Sequence, residues 1–185
     1  LDIVNPYFRT NDARNVLMKN GIKVVANNYA SSNVDMPTMP LDILSVFNND
    51  NSVVVFDVGG DDDGALALGQ YKQYFDKYGY EMHFIVNTKR PLTRTNDELI
   101  EIAERIESAS RLKFTDIYNN TNLSDQTDET TLFSGYDEIK MLSKKMGIVI
   151  KKNCGIDKAL SNVPTNLKDT VFRMNICILR PWEIQ

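Results

Sequence analysis

Residues 52–69 read SVVVFDVGGDDDGALALG, and the fold turns on how this stretch is parsed. Val53, Val54, Val55 and Phe56 form an apolar run of strand length with no polar residue inside it, the pattern of a buried strand. The run ends in a carboxylate, Asp57, and Gly59 and Gly60 follow before helix-forming residues resume. An acid delivered at the carboxyl end of a buried strand can hold Mg²⁺ or its bound water. Glycines just beyond it let the main chain approach a terminal phosphate, because no Cβ stands in the way.

That layout is the one of a Walker B acid and its switch loop. The same letters also arise as plain strand-to-turn chemistry, with an aspartate capping the next helix, so the rest of the chain has to decide. Upstream, 11–20 reads as a short helix capped by Asn11 or Asp12 and stopped by Gly21, with a strand over 22–26. An Asn-, Ser- and Pro-rich surface loop over 27–40 and a short helix over 41–48 follow. Downstream, Asp62 or Asp63 caps a helix over 64–78 whose Leu66, Leu68, Tyr71, Phe75 and Tyr78 share one buried face. Strands are expected over 80–86, 114–118, 148–150 and 172–179. Between them lie a helix over 95–112, opened by Thr95 and burying Leu99, Ile102, Ala103 and Ile106, and one over 127–146, capped by Thr127 and ended by Gly147.

Strands alternating with helices of this length argue an α/β fold, a mainly parallel sheet with helices on both faces. In such a sheet ligands sit outside the carboxyl ends of the strands. The segments that follow the strands are Asp2 and Asn5, then 57–60, 87–91 (NTKRP), 119–122 (NNTN) and 153–155. Their polar groups are expected on one rim.

Composition narrows the choices. With 185 residues and 42% hydrophobic content the chain suits one domain with a sizeable core. A formal net charge of −4 gives no electrostatic footprint for direct nucleic-acid binding. Cys154 and Cys177 lack metal-ligand spacing and His83 is the sole histidine, so neither a zinc nor an iron–sulfur site is expected. No apolar run reaches the length of a membrane-spanning segment, and the expected location is cytoplasmic with reduced thiols. The acids 61–63 read as helix-capping residues rather than metal ligands, His83 as a core or half-exposed side chain, Arg9 as a turn residue, Arg90 either as a charge donor near a ligand or as the end of its strand, and Tyr71, Tyr74, Phe75 and Tyr78 as helix core and rim.

LDIVNPYFR at the start, VVVFDVGGDDDGALALG, FIVNTKRPLT and YNNTNLSDQT together resemble the CobQ/CobB/MinD/ParA group of nucleotide-binding proteins, P-loop ATPases of the deviant-Walker class. The resemblance runs from Leu1 to about Gly155. It implies a P-loop NTPase-like three-layer sandwich binding ATP and Mg²⁺. Residue by residue, it places Asp2 on the catalytic acid that positions the attacking water, and Asp57 on the acid that holds the Mg²⁺ shell. Gly60, with Gly59 beside it, falls on the glycine that senses the γ-phosphate, Asn119 on the asparagine that reads the adenine edge, and Asn87 near the nucleotide.

One departure stands out: no G-x-x-x-x-G-K-[ST] sequence is present. The expectation is a single nucleotide-binding domain, incomplete at its N-terminus and lacking its first strand and helix, ~30 residues in a βαβ unit, with a gap beside the 53–56 strand. The implied function is a slow Mg²⁺-dependent ATPase whose nucleotide state governs a homodimer or an unidentified protein partner. The alternative is a non-catalytic interaction module with a degenerate P-loop fold, and a ligase or synthase of the CobQ/CobB kind ranks last.

Overall fold

The computed structural model describes residues 13–25, 44, 47, 52–60 and 62–176. The chain forms two compact units, Leu1–Gly79 with Cys177–Gln185, and Tyr80–Ile176.

In the first unit, helix α1 covers Arg14–Lys19 and Gly21, at φ 79°, ends it. Only glycine reaches that conformation cheaply. The expected caps Asn11 and Asp12 lie outside the described residues, as do all of 27–40 and most of 41–48. Residues 22–25 and 52–59 carry no strand, which corrects the reading of both stretches. Val53 is 93% exposed and Val55 85%. The physical reason is that β-propensity expresses itself only against a neighbouring strand, and no described residue forms a ladder with 53–56.

The expected helix over 64–78 is two helices, α2 over Asp62–Gly69 and α3 over Lys72–Tyr78. The break at Gln70 and Tyr71 shifts the phase of the buried face. Leu68 and Phe75 are buried as expected, but Leu66 and Tyr78 are exposed, and Ala65 and Ala67 are buried in their stead. The aromatic residues assemble around Phe47. Its ring stacks on Phe56 at 5.7 Å and on Tyr74 at 5.0 Å, and meets Phe75 edge-on at 5.3 Å. Such pairs contribute beyond their buried area, so these rings pack against one another within the unit.

The second unit is built on a four-stranded, all-parallel sheet in sequential order. Its strands are β1 (His83–Val86), β2 (Asp116–Asn119), β3 (Val149–Gly155) and β4 (Val171–Arg173). Helix α4 (Asn96–Ser110) joins β1 to β2, and α5 (Glu129–Phe133) and α6 (Tyr136–Met146) join β2 to β3. Two short 3₁₀ turns, Asp157–Leu160 and Thr165–Thr170, precede β4.

Thr95 starts α4 with a full capping box: its hydroxyl accepts from the Glu98 amide while the Glu98 carboxylate accepts from the Thr95 amide. Two helix-end donors are satisfied by this exchange. Those backbone bonds hold the Glu98 carboxyl below the usual glutamate range. Leu99, Ile100, Ala103 and Ile106 point into the core, at the 3–4 spacing of one helical face.

The expected helix over 127–146 splits at Ser134 and Gly135. Asp128, and not Thr127, caps its first part by accepting from the Thr131 amide at 2.7 Å. A Cβ on Gly135 would lie 2.2 Å from Thr88 Oγ1, so the chain passes here only because the side chain is absent.

Burial alternates along β1, with Phe84 and Val86 inside and His83 and Ile85 outside. Register carries the buried face across to Ile117 and Asn119, and on to Asn153. Sequential parallel strands joined by right-handed crossovers place every connecting helix on one face. The expectation of helices on both faces is therefore met on one face of this unit. The other face bears His83, Ile85, Tyr118 and Val149, of which Ile85 is 54% and Val149 66% exposed.

Candidate functional site: the carboxyl rim of the parallel sheet

β1, β2 and β3 run parallel, so the residues that follow them arrive at one edge. Asn87 leaves β1 and clasps the loop after β2. Its Oδ1 accepts from the amides of Asn122 (3.1 Å) and Lys89 (3.0 Å), and its Nδ2 donates to the Asn122 carbonyl (3.2 Å). Thr88 follows, its amide donating to Thr121 Oγ1 at 3.2 Å. Thr93 closes the first loop by donating to the Asn87 carbonyl at 2.7 Å.

Thr127 performs the same service for the second loop. Its hydroxyl accepts from the Leu123 amide at 2.9 Å and donates to the Ser124 carbonyl at 2.6 Å. This is why it does not cap the helix beyond.

Asn119 lies at the centre, fully buried. Its Nδ2 donates to the Leu132 carbonyl (3.1 Å) and to Asn153 Oδ1 (3.0 Å), while its Oδ1 accepts from the Thr121 amide (3.1 Å). Asn153 in turn donates to Thr170 Oγ1 at 2.8 Å. A primary amide has two donor hydrogens, and both of Asn119's are spent inside the protein. Reading an adenine edge, the role the resemblance implies, would require those bonds to be given up.

Between these loops and the start of α6 opens a cleft of about 480 Å³, lined by Thr88, Lys89, Arg94, Leu123, Ser134, Gly135 and Glu138. Lys89 and Arg94 bring two cationic side chains to it against the one carboxylate of Glu138, a balance that favours an anionic group, while the hydroxyls of Thr88 and Ser134 are engaged with Thr121 and the Thr131 carbonyl. Arg94 and Lys89 belong to the loop after β1, where the sequence reading singled out only Asn87 and Arg90. Their signal was present in NTKRPLTR, but the approach of Ser134 and Gly135 from 45 residues downstream was not.

In the first unit, Asp57 is exposed, Gly59 is half-buried and Gly60 is exposed. A Cβ at Gly60 would meet nothing within 4 Å, so the main chain there is open to approach. Asp2 lies outside the described residues.

At the opposite edge of the second unit a cluster forms that the sequence reading did not foresee. Asp116, 4% exposed, accepts from His83 Nδ1 at 2.6 Å and from the Thr115 hydroxyl at 3.1 Å. Lys151 donates to Glu81 at 2.7 Å and to Asp116 at 3.3 Å. The register shifts opposite Ile117 and Tyr118, so that Tyr118 pairs with Lys152 and leaves Lys151 as the extra residue. A bulge of this kind re-aims a side chain. The hydrogen bond to Glu81 raises the Lys151 ammonium above the usual lysine range. The Tyr118 ring lies 4.8 Å from the His83 ring and tilted 49° to it.

Among the described residues, no helix is long and apolar enough to cross a membrane. Comparison of the chain with family models, with curated proteins and with solved structures finds no match.

Proposed function

We propose that this protein is an ATP-binding, Mg²⁺-dependent switch of the MinD/ParA-like kind, a slow ATPase whose nucleotide state governs a homodimer or a protein partner. The observation that carries the reading is the carboxyl rim of the parallel sheet, where the loops after β1 and β2 are pinned to each other by the bonds of Asn87 to Asn122 and of Thr88 to Thr121. Ligands of open α/β sheets sit at this edge, and the Lys89/Arg94 cleft beside it suits a phosphate-bearing molecule.

The residues at hand fit part of the nucleotide and its ion. In the first unit, taken by itself, the resemblance assigns Mg²⁺ to Asp57, a hard oxygen donor of the kind Mg²⁺ prefers, and a terminal phosphate to the main chain at Gly60, where a Cβ would meet nothing. Mg²⁺, when bound, supplies charge neutralisation to the phosphates. Asp2 orients water for attack on the γ-phosphate, and the switch segment around Gly60 passes the nucleotide state outward. Phosphoryl transfer asks for positioning more than covalent help, which these residue types provide.

The test is titration of the protein, expressed from its complete reading frame, with a fluorescent ATP analogue in Mg²⁺. Saturable binding that weakens in Asp57→Ala is expected. Absence of binding contradicts the proposal. The second reading, a non-catalytic interaction module, is favoured by the internal engagement of the Asn119 amide, and that null result would be its signature.

A further inference from the structure

We infer that Glu81, His83 and Asp116 form a binding site for a zinc-class divalent cation at the amino edge of the sheet, opposite the rim assigned to nucleotide. One ligand atom from each of the three lies within 4.8 Å of the others. An ionised carboxylate only accepts hydrogen bonds, so the Asp116 contact places a proton on His83 Nδ1 and leaves Nε2 as the ring nitrogen through which a cation would be bound. Nε2 lies 3.8 Å from Glu81 Oε2. Two ligands on one tetrahedral Zn²⁺ at about 2.0–2.1 Å stand somewhat closer than this, so a small rotation of the exposed Glu81 side chain completes the pair.

Asp116 then acts as a positioning residue. It orients the imidazole and raises its basicity, the carboxylate–histidine–metal arrangement. The ring is held in place by the Asp116 bond on one side and by Tyr118 against it. Water fills the remaining coordination positions. An imidazole-and-carboxylate donor set suits Zn²⁺ and not Mg²⁺, which separates this site from the Mg²⁺ role proposed for Asp57.

Lys151 bears directly on the inference. Its ammonium bonds the same Glu81 oxygen that faces His83, and so stands where a cation is already favoured: one positive charge against two carboxylates. A divalent ion displaces it, and the half-exposed lysine stem is long enough to swing into solvent. The sequence reading counted only cysteine and histidine as ligands; the two carboxylates reach His83 through folding, Asp116 by strand pairing with it.

The test is calorimetric titration of the whole chain with ZnCl₂, with Co²⁺ absorption reporting the coordination shell and MgCl₂ as control. One Zn²⁺ per chain is expected, with no Mg²⁺ binding. His83→Ala should abolish binding and Glu81→Gln should weaken it, both at positions exposed enough to leave the fold intact by circular dichroism. Asp116→Asn should weaken binding by about 10–100-fold. Lys151→Met should tighten it by about tenfold, the scale of one charge-assisted hydrogen bond of about 1.5–3 kcal/mol, because the ion no longer has to displace an ammonium from Glu81. Failure of the wild-type chain to bind Zn²⁺ overturns the inference, and so does Zn²⁺ binding that survives His83→Ala.

Discussion

At Asn119 one side chain faces two demands. The resemblance assigns it to a nucleotide base, while the fold uses its amide to tie β2 to β3 through Asn153 and to hold the carbonyl of Leu132. Asn119→Ala leaves the Thr121 amide and the Asn153 oxygen without their partner. A buried group so stranded costs about 1–3 kcal/mol, and a loss of at least that size is expected in the urea midpoint. The position of Asn119 on the rim was legible, because NNTN follows a strand. Its bond to Asn153, 34 residues away, was not, since only the strand register brings the two together.

Cys154 offers a second prediction at this scale. Burial pushes its thiol up from the ordinary value of 9.0 to about 11. The folded chain therefore keeps a proton that the unfolded chain releases. The resulting stability is whole below pH 9 and fades as the pH rises through about 11. In a Cys177→Ser background, the native protein at pH 8 should not react with a disulfide reagent, and urea should expose one reactive thiol. Rapid labelling without denaturant would contradict this.

Among the elements, α4 was the most legible, because Thr95 and Glu98 announce its start and an apolar spacing of three and four marks its inner face. Elements whose limits depend on distant contacts were not. The run 53–56 has every letter of a strand, yet a strand exists only with a neighbour to pair with. The helix expected over 127–146 breaks at Gly135, and the cause, Thr88, lies on a different loop. Helix propensity alone would favour Gly135→Ala. The collision with Thr88 reverses the sign, and a destabilisation of about 1–3 kcal/mol is expected for this overpacking, measured by chemical denaturation. A stabilised variant would show that the loop after β1 does not rest on this junction.

Over the molecule as a whole, the alternation of strand and helix was readable because each parallel crossover needs its own periodic segment. The second unit confirms this as a parallel sheet. The sequence also pointed to the polar character of the rim, though not to the bonds within it, Asn87 to Asn122 and Thr121 to both Thr88 and Asn119. These internal bonds make the rim a pre-formed edge that a ligand meets already shaped, so nucleotide should add protection there with little rearrangement.

Hydrogen–deuterium exchange on the protein from its complete reading frame, with and without Mg²⁺-ATP, tests this most directly. Slower exchange in the segments around Gly59 and Gly60 and in the loops after β1 and β2, lost in Asp57→Ala, is the expected result. Exchange unchanged across all of these segments at saturating nucleotide, or changed only at the opposite edge around Glu81 and His83, would contradict it.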